Sequence, residues 1–166
     1  VLKALAAKAD VLIENYAPGV LDRLGVGYSV LSAINPRLIY GSATGYGLSG
    51  PDCDNLAMDL TVQAVSGIMS VTGFTDGPPV KAGPAITDFI SGVHLYAGIL
   101  TALYDREKSG RGRLVEIAMV ETVYPAMASN LANVFNRKAA APRTGNRHGG
   151  LAEGPYNGYP ASAGHV

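Results

Sequence analysis

The sequence predicts an α/β chain: a partial Rossmann-like parallel sheet flanked by helices, with one long buried helix. Three observations predict it. Short apolar runs at Val11–Glu14 and Leu114–Ala118 are bounded by turn residues in the manner of buried strands. Helical stretches alternate with the strands, the rhythm of a parallel sheet covered by helices. Residues 85–104 carry Ile, Phe, Val and Leu throughout, which no amphipathic surface helix would do.

In order along the chain, residues 3–8 have helical character, and the strand Val11–Glu14 is broken by Ala17-Pro18-Gly19. Tyr28–Ile34 reads as a short helix ended by Asn35-Pro36, and residues 37–42 as a second strand. A Gly-rich loop over 44–51 leads to an expected helix over 57–70, and residues 73–79 form a turn-rich connection. The long helix is expected over 87–108, stopped by Ser109-Gly110 because glycine readily adopts the left-handed conformation after a last turn. Leu114–Ala118 is the next strand, and residues 120–135 read as a helix that Pro125 starts or kinks. From Arg137 onward Arg, Gly, Asn, Pro and Tyr dominate. Residues 1–136 therefore read as part of an α/β domain and 137–166 as a loop-rich linker. The opening Val-Leu-Lys-Ala and the stop at Val166 resemble no domain boundary, so a central piece of a longer protein is expected.

Thirteen basic and thirteen acidic side chains cancel without a run of either sign, which argues against a nucleic-acid or acidic-membrane surface and for a small-molecule partner. Cys53 is the only cysteine, so an internal disulfide and a thiolate metal cluster are excluded, no metal site is expected, and a reduced, cytoplasmic setting fits. Residues 85–104 are long enough for a membrane span, but Asp88 and His94 lie within them and ionisable groups are costly in lipid. A buried helix of a soluble protein is the better reading, with His94 a satisfied buried histidine.

Gly45-Tyr46-Gly47-Leu48-Ser49-Gly50 satisfies G-x-G-x-x-G after a predicted strand. The dinucleotide fingerprint needs its last glycine in the first turn of a helix, whereas Pro51-Asp52-Cys53-Asp54-Asn55 continues as loop, so the pattern is a decoy. Asp88 opens the long helix. It is either an N-cap or a carboxylate held partly dry at a helix N-terminus, where the dipole keeps it ionised and Gly92 leaves room for a substrate. Asp59 starts the preceding helix, with capping and a supporting catalytic role both open. Lys108, Arg111 and Arg113 surround a helix stop and read as structural.

Several tags occur in order: Ala9 to Gly19 (ADVLIENYAPG), Asn35 to Tyr40 (NPRLIY), Thr72-Gly73 with Asp76 to Pro79, Asp88 to Gly92, Arg106 to Gly112, and Arg143 to His148. Across essentially the whole chain they resemble the class III coenzyme A transferases, which include formyl-CoA and crotonobetainyl-CoA transferases. The resemblance implies that Asp88 is a nucleophile that takes an acyl group from a thioester. It implies that Asn15 and Arg23 contact coenzyme A, and that Asp59 lies near the active site. It further implies an acyl-CoA:carboxylate CoA-transferase with no tightly bound cofactor, whose substrates are a coenzyme A thioester and a carboxylic acid. Residues 1–136 would then be the central part of the large domain and 137–166 the start of the linker toward the small one. The full protein would form an interlocked homodimer, with apolar surface of this chain facing other segments or a partner.

Such chemistry must exclude water, and Gly149-Gly150 reads either as part of a lid or as a plain surface turn. Two other readings stand beside it. The 2-methylacyl-CoA racemases of the same superfamily pair the acid matching Asp88 with a histidine, whose place here is taken by Met58. A catalytically silent nucleotide-binding or scaffold domain is the second. The acceptor acid stays open among formate, oxalate, succinate and carnitine-like acids.

Overall fold

The structure, a computed structural model, describes residues 1–149 and 156–165. Three parallel strands, β1 (Val11–Glu14), β2 (Ile39–Thr44) and β3 (Leu114–Ala118), form one sheet in the order β1-β2-β3. Val11 pairs with Ile39, and Tyr40 pairs with Leu114. The central strand is buried on both faces, which is why it reads as a continuous apolar or small-residue run rather than an alternating one.

Alternate residues of β2 feed two cores. Tyr40 joins Ala6 of α1 (Leu2–Ala6), Leu31 of α3 (Tyr28–Ile34) and Leu38 on one face. Ile39 meets Leu95, Ile99 and Ala102 of α6 (Ile86–Ser109) on the other. Full burial of each such aliphatic side chain contributes about 2 kcal/mol, so these two contacts set the layering of the molecule. Burial pushes the Tyr40 phenol up to about 12, helped by the charges of Glu14 and Asp22, so it stays neutral in the core.

Helix α6 runs the length of the sheet. Its first turn lies by the C-terminal ends of β1 and β2. Near its other end, buried Arg106 donates to the Asp10 carboxylate (2.8 Å) and the Arg37 carbonyl (3.0 Å), at the starts of the same two strands. Gly110, at φ 69°, stops the helix where expected. Arg113 pairs with Asp105, and the Lys108 ammonium sits 5.3 Å from the centre of the Tyr104 ring, in keeping with structural roles for both cations.

The long helix is present, but within the described residues it is buried along one stripe only: Thr87, Ser91, Leu95, Ile99, Ala102 and Arg106. Phe89, Val93, Tyr96, Leu100 and Tyr104 are exposed on the opposite side. By length and composition alone the helix could cross a membrane, but its buried stripe packs on the sheet and carries an ion-paired arginine. His94, expected to be buried, is instead exposed, and its Nδ1 lies 2.9 Å from the Ile90 carbonyl one turn back. The three-to-four-residue period puts it on the solvent side, since the core stripe passes through Ser91 and Leu95.

Other differences are local. The helix expected over 57–70 is two, α4 (Asp59–Val65) and α5 (Ile68–Val71), because Gly67 at φ 88° interrupts the ladder. The one expected over 120–135 is α7 (Met119–Thr122), a 3₁₀ turn at Pro125–Met127 and α8 (Ala128–Arg137), since a proline lacks the N–H to continue the ladder. A short α2 (Val20–Arg23) follows Gly19. Strand β2 starts at Ile39 rather than residue 37, because the Asn35 side chain and carbonyl hold the Arg37 and Leu38 amides in a turn (both 3.0 Å). Near the end a small hairpin pairs β4 (Pro160–Ala161) with β5 (Gly164–His165).

Candidate active site

Parallel strands leave their ligand crevice at their C-terminal ends. Here a cleft of about 800 Å³ opens there, lined by Asn15 after β1, Gly45 after β2, Met58 and Asp59 at the start of α4, and Asp88, Ser91 and Gly92 on the first turns of α6. A volume of this size suits a small ligand or one end of a larger one.

Asp88 is the third residue of α6, behind Ala85 at the N-cap and Ile86 and Thr87. It therefore caps nothing, which removes one of its two readings. Its carboxylate oxygens accept no hydrogen bond from any described residue, although they stand in the field of the helix N-terminus. Asp88 is exposed rather than partly dry, because this chain alone leaves the cleft open; the partial desolvation it does undergo raises its carboxyl above the ordinary value, and the neighbouring Asp59 charge raises it further. The backbone-bonding work at this terminus falls to Asp59. Its Oδ1 accepts from the Thr87 amide (2.8 Å), the Thr87 hydroxyl (2.6 Å) and, more weakly, the Asp88 amide (3.4 Å). Its Oδ2 accepts from the Gln63 side-chain amide at 2.6 Å. Burial pushes the Asp59 carboxyl up, but the bonds from Thr87, Gln63 and Asp88 outweigh it and hold the group below its ordinary range. The two acids thus sit in opposite states: one fully engaged, the other open to the cleft.

Gln63 is wholly buried and closes the network, because its Oε1 accepts from the Ala82 amide at 2.8 Å. Deeper in, the Ser91 hydroxyl donates to the Thr87 carbonyl (2.6 Å) and lies 2.9 Å from the Thr122 hydroxyl, which fastens α6 to α7. Apart from its chain neighbours and the backbone of α6 itself, no heavy atom lies within 4 Å of where a Cβ on Gly92 would be, so that position opens the cleft one turn from Asp88.

The structure thus brings Asp88, Asp59 and Asn15 to one cleft. Arg23 lies on α2, exposed and outside that lining, its guanidinium 3.1 Å from the position of a Cβ on Gly19. Met58 lines the cleft but offers no proton-accepting group. The G-x-G-x-x-G segment continues as turns before α4 opens at Asp59, so no helix N-terminus faces it, as the loop reading expected. Among the described residues no three His, Cys, Asp or Glu side chains gather as a metal site. Of the Gly149-Gly150 pair, Gly150 lies outside the described residues. Gln63 and Lys81 escaped sequence reasoning: a glutamine inside a helix and a lysine before two small residues carry no local signal.

Two distant tags turn out to be neighbours. The Arg143 guanidinium donates to the carbonyls of Gly77 (2.7 Å), Phe74 (3.2 Å) and Ser70 (3.4 Å), and the Gly145 amide donates to Gly73. Residues 143 and 145 thereby hold the turn-rich 73–79 loop.

A parallel sheet with an open carboxylate at a helix terminus beside its crevice defines an α/β chain with an acid-lined cleft at the C-terminal ends of its strands. Residues 1–166 match CoA-transferase family III, and the chain belongs to that family. It is 45% identical over 145 residues to an acetyl-CoA:oxalate CoA-transferase of Acetobacter aceti, covering 87% of this chain and 37% of that protein. It is 35% identical over all 166 residues to a succinyl-CoA:glutarate CoA-transferase of Homo sapiens, covering 37% of that protein. A crystal structure of a CaiB/BaiF family protein from Brucella suis superimposes with a TM-score of 0.89 at 36% identity, covering 99% of this chain and 43% of that one. The chain therefore spans well under half the length of these relatives.

Proposed function

We propose that this chain supplies the acyl-accepting carboxylate and part of the coenzyme cleft of an acyl-CoA:carboxylate CoA-transferase, with Asp88 as nucleophile. The observation that carries the reading is the Asp88 carboxylate itself, unpartnered, facing the cleft at the end of a helix whose other bonding duties Asp59 discharges.

In the proposed cycle an Asp88 oxygen attacks the donor thioester carbonyl, and the C–S bond breaks to leave a mixed anhydride and free CoA thiolate. The thiolate attacks the aspartyl carbonyl of the anhydride, which releases the donor acid and leaves an aspartyl-CoA thioester. The acceptor carboxylate then attacks that thioester, releases the thiolate and forms a second anhydride. Attack of the thiolate on the acceptor's carbonyl gives the new acyl-CoA and restores Asp88. A carboxyl raised by partial desolvation and by Asp59 is more basic, and so a better nucleophile. The helix N-terminus offers compensating positive potential to charge that develops on the attacked carbonyl.

Asn15 and Arg23 are proposed to hold coenzyme A, Asn15 from the cleft and Arg23 from the α2 side, where a cation suits a phosphate. Identity above 30% to transferases that act with oxalate and glutarate supports the reaction class. A racemase would need a proton acceptor where Met58 stands, and no observation favours one. The intact protein is proposed to be a cytoplasmic, interlocked homodimer that takes an acyl-CoA and a carboxylic acid without a tightly bound cofactor. The exposed α6 stripe would then be covered by segments or copies beyond this chain.

The test is trapping. The full-length protein is incubated with acyl-CoA donors and hydroxylamine, and the modified residue is mapped by mass spectrometry. A hydroxamate at Asp88 is expected. Deuterium exchange at the substrate α-carbon without CoA transfer would instead establish the racemase, and bound CoA with neither signal a silent domain.

A further inference from the structure

Resting on the transferase reading above, the structure assigns a second role in the same cleft: we propose that Lys81 holds the non-reacting carboxylate of a dicarboxylic acceptor while the reacting carboxylate faces Asp88. The first observation is charge. The cleft lining carries three carboxylates, Glu14, Asp59 and Asp88, and among its described residues a single cation, Lys81. Glu14 is occupied by the Ser42 hydroxyl and the Tyr16 amide, and Asp59 by the start of α6. A substrate with its own carboxylates enters a negative field at Asp88, and one fixed ammonium is what can offset it.

The second observation is how Lys81 is held. Its ammonium donates to the carbonyls of Ala82 (3.0 Å) and Gly83 (2.9 Å). An ammonium has three donors, so one is left, and the two fixed bonds curb the freedom that usually makes an exposed lysine a poor binding group.

The third is the anchor beneath it. Wholly buried Gln63 accepts from the Ala82 amide and donates to Asp59. Segment 81–84 is thereby tied, through one side chain, to the acid that caps the Asp88 helix. The cation and the nucleophile stand on a shared frame, as a two-point substrate requires. A monocarboxylate would use the Asp88 end alone; a dicarboxylate would use both.

The experiment compares Lys81→Met and Lys81→Arg in the full-length protein, with oxalate, succinate and glutarate against acetate and butyrate as acceptors. A charge-assisted contact of this kind predicts that the dicarboxylate-over-monocarboxylate ratio of kcat/KM falls about tenfold or more in K81M and is largely restored in K81R. An unchanged ratio overturns the proposal. So does an equal rise in KM for the acyl-CoA with every acceptor, which would place Lys81 on the coenzyme's phosphates. Calorimetric titration of succinate into wild type and K81M is run alongside and needs no turnover. If no acid accepts CoA in wild type, the transferase reading fails, yet succinate binding lost in K81M still supports the anion site and equal binding still sinks it.

Discussion

Removing the Asp59 carboxylate should unfasten the start of α6, and its cost can be worked from the bonds it makes. In Asp59→Ala the Thr87 amide loses its acceptor and the Thr87 hydroxyl keeps only the Asp59 main-chain carbonyl at 3.2 Å, a loss of the N-cap kind worth about 0.5–2 kcal/mol. The buried Gln63 amide keeps only the Pro84 carbonyl at 3.5 Å, and an ill-paired buried donor costs about 1–3 kcal/mol. Together the variant should lose about 1.5–5 kcal/mol of stability. Asp59→Asn keeps an acceptor for Thr87 but turns an amide toward the Gln63 amide, or gives up Thr87 instead, so about half that loss is expected. Denaturant unfolding of each variant in the full-length protein at neutral pH gives the numbers. The pH series adds a sign. Because the folded Asp59 carboxyl is depressed, its contribution is fully present above its ordinary value of 3.8 and is lost as pH falls through the lower folded value, so the difference between wild type and D59A narrows in acid. A D59A protein within about 0.5 kcal/mol of wild type, the range of an ordinary surface change, would refute the capping argument. In activity, Asp59→Asn should move the acid limb of the pH profile to lower pH, because one of the causes that raise Asp88 is gone.

Two further outcomes follow from packing. Gly92→Ala places a methyl into open cleft space inside a helix, so stability should rise by about 0.5–1 kcal/mol while KM for acyl-CoA also rises; a variant that loses stability would show the space to be filled. Arg106→Met removes the tie from α6 to the Asp10 and Arg37 carbonyls and should cost about 2–3 kcal/mol in thermal or denaturant unfolding, with KM little changed because the residue lies at the far end of the sheet.

The sheet was legible because its strands announce themselves locally. Val11–Glu14 and Leu114–Ala118 are apolar runs with turn residues at both ends, and the observed strands coincide with them. The long helix was legible for the same reason, down to its Gly110 stop. What escaped was set by contacts between distant segments. Asp88 sits in the pattern of a capping acid, yet Asp59, twenty-nine positions earlier, performs the capping. Nothing within α4 signals that its first carboxylate reaches another helix. Arg143 gripping the carbonyls of residues 70–77 is likewise invisible from either tag alone. The continuous apolar character of α6 suggested burial all round, but hydropathy does not say which side the sheet will cover, and Phe89, Tyr96 and Tyr104 remain outside. His94 was misplaced for that reason. Of the two residues proposed from the family tags to contact coenzyme A, Asn15 reaches the cleft while Arg23 stands outside it.

The central claim is that one open carboxylate carries the acyl group. Its most direct measurement is CoA exchange between donor and acceptor acids by the full-length protein with Asp88 replaced by Asn, a near-isosteric change that leaves the Asp59 bonds to α6 in place. The account predicts that exchange falls by more than about a thousandfold, as for loss of a covalent nucleophile, with the fold and coenzyme binding retained. Exchange at the wild-type rate in that variant would contradict it.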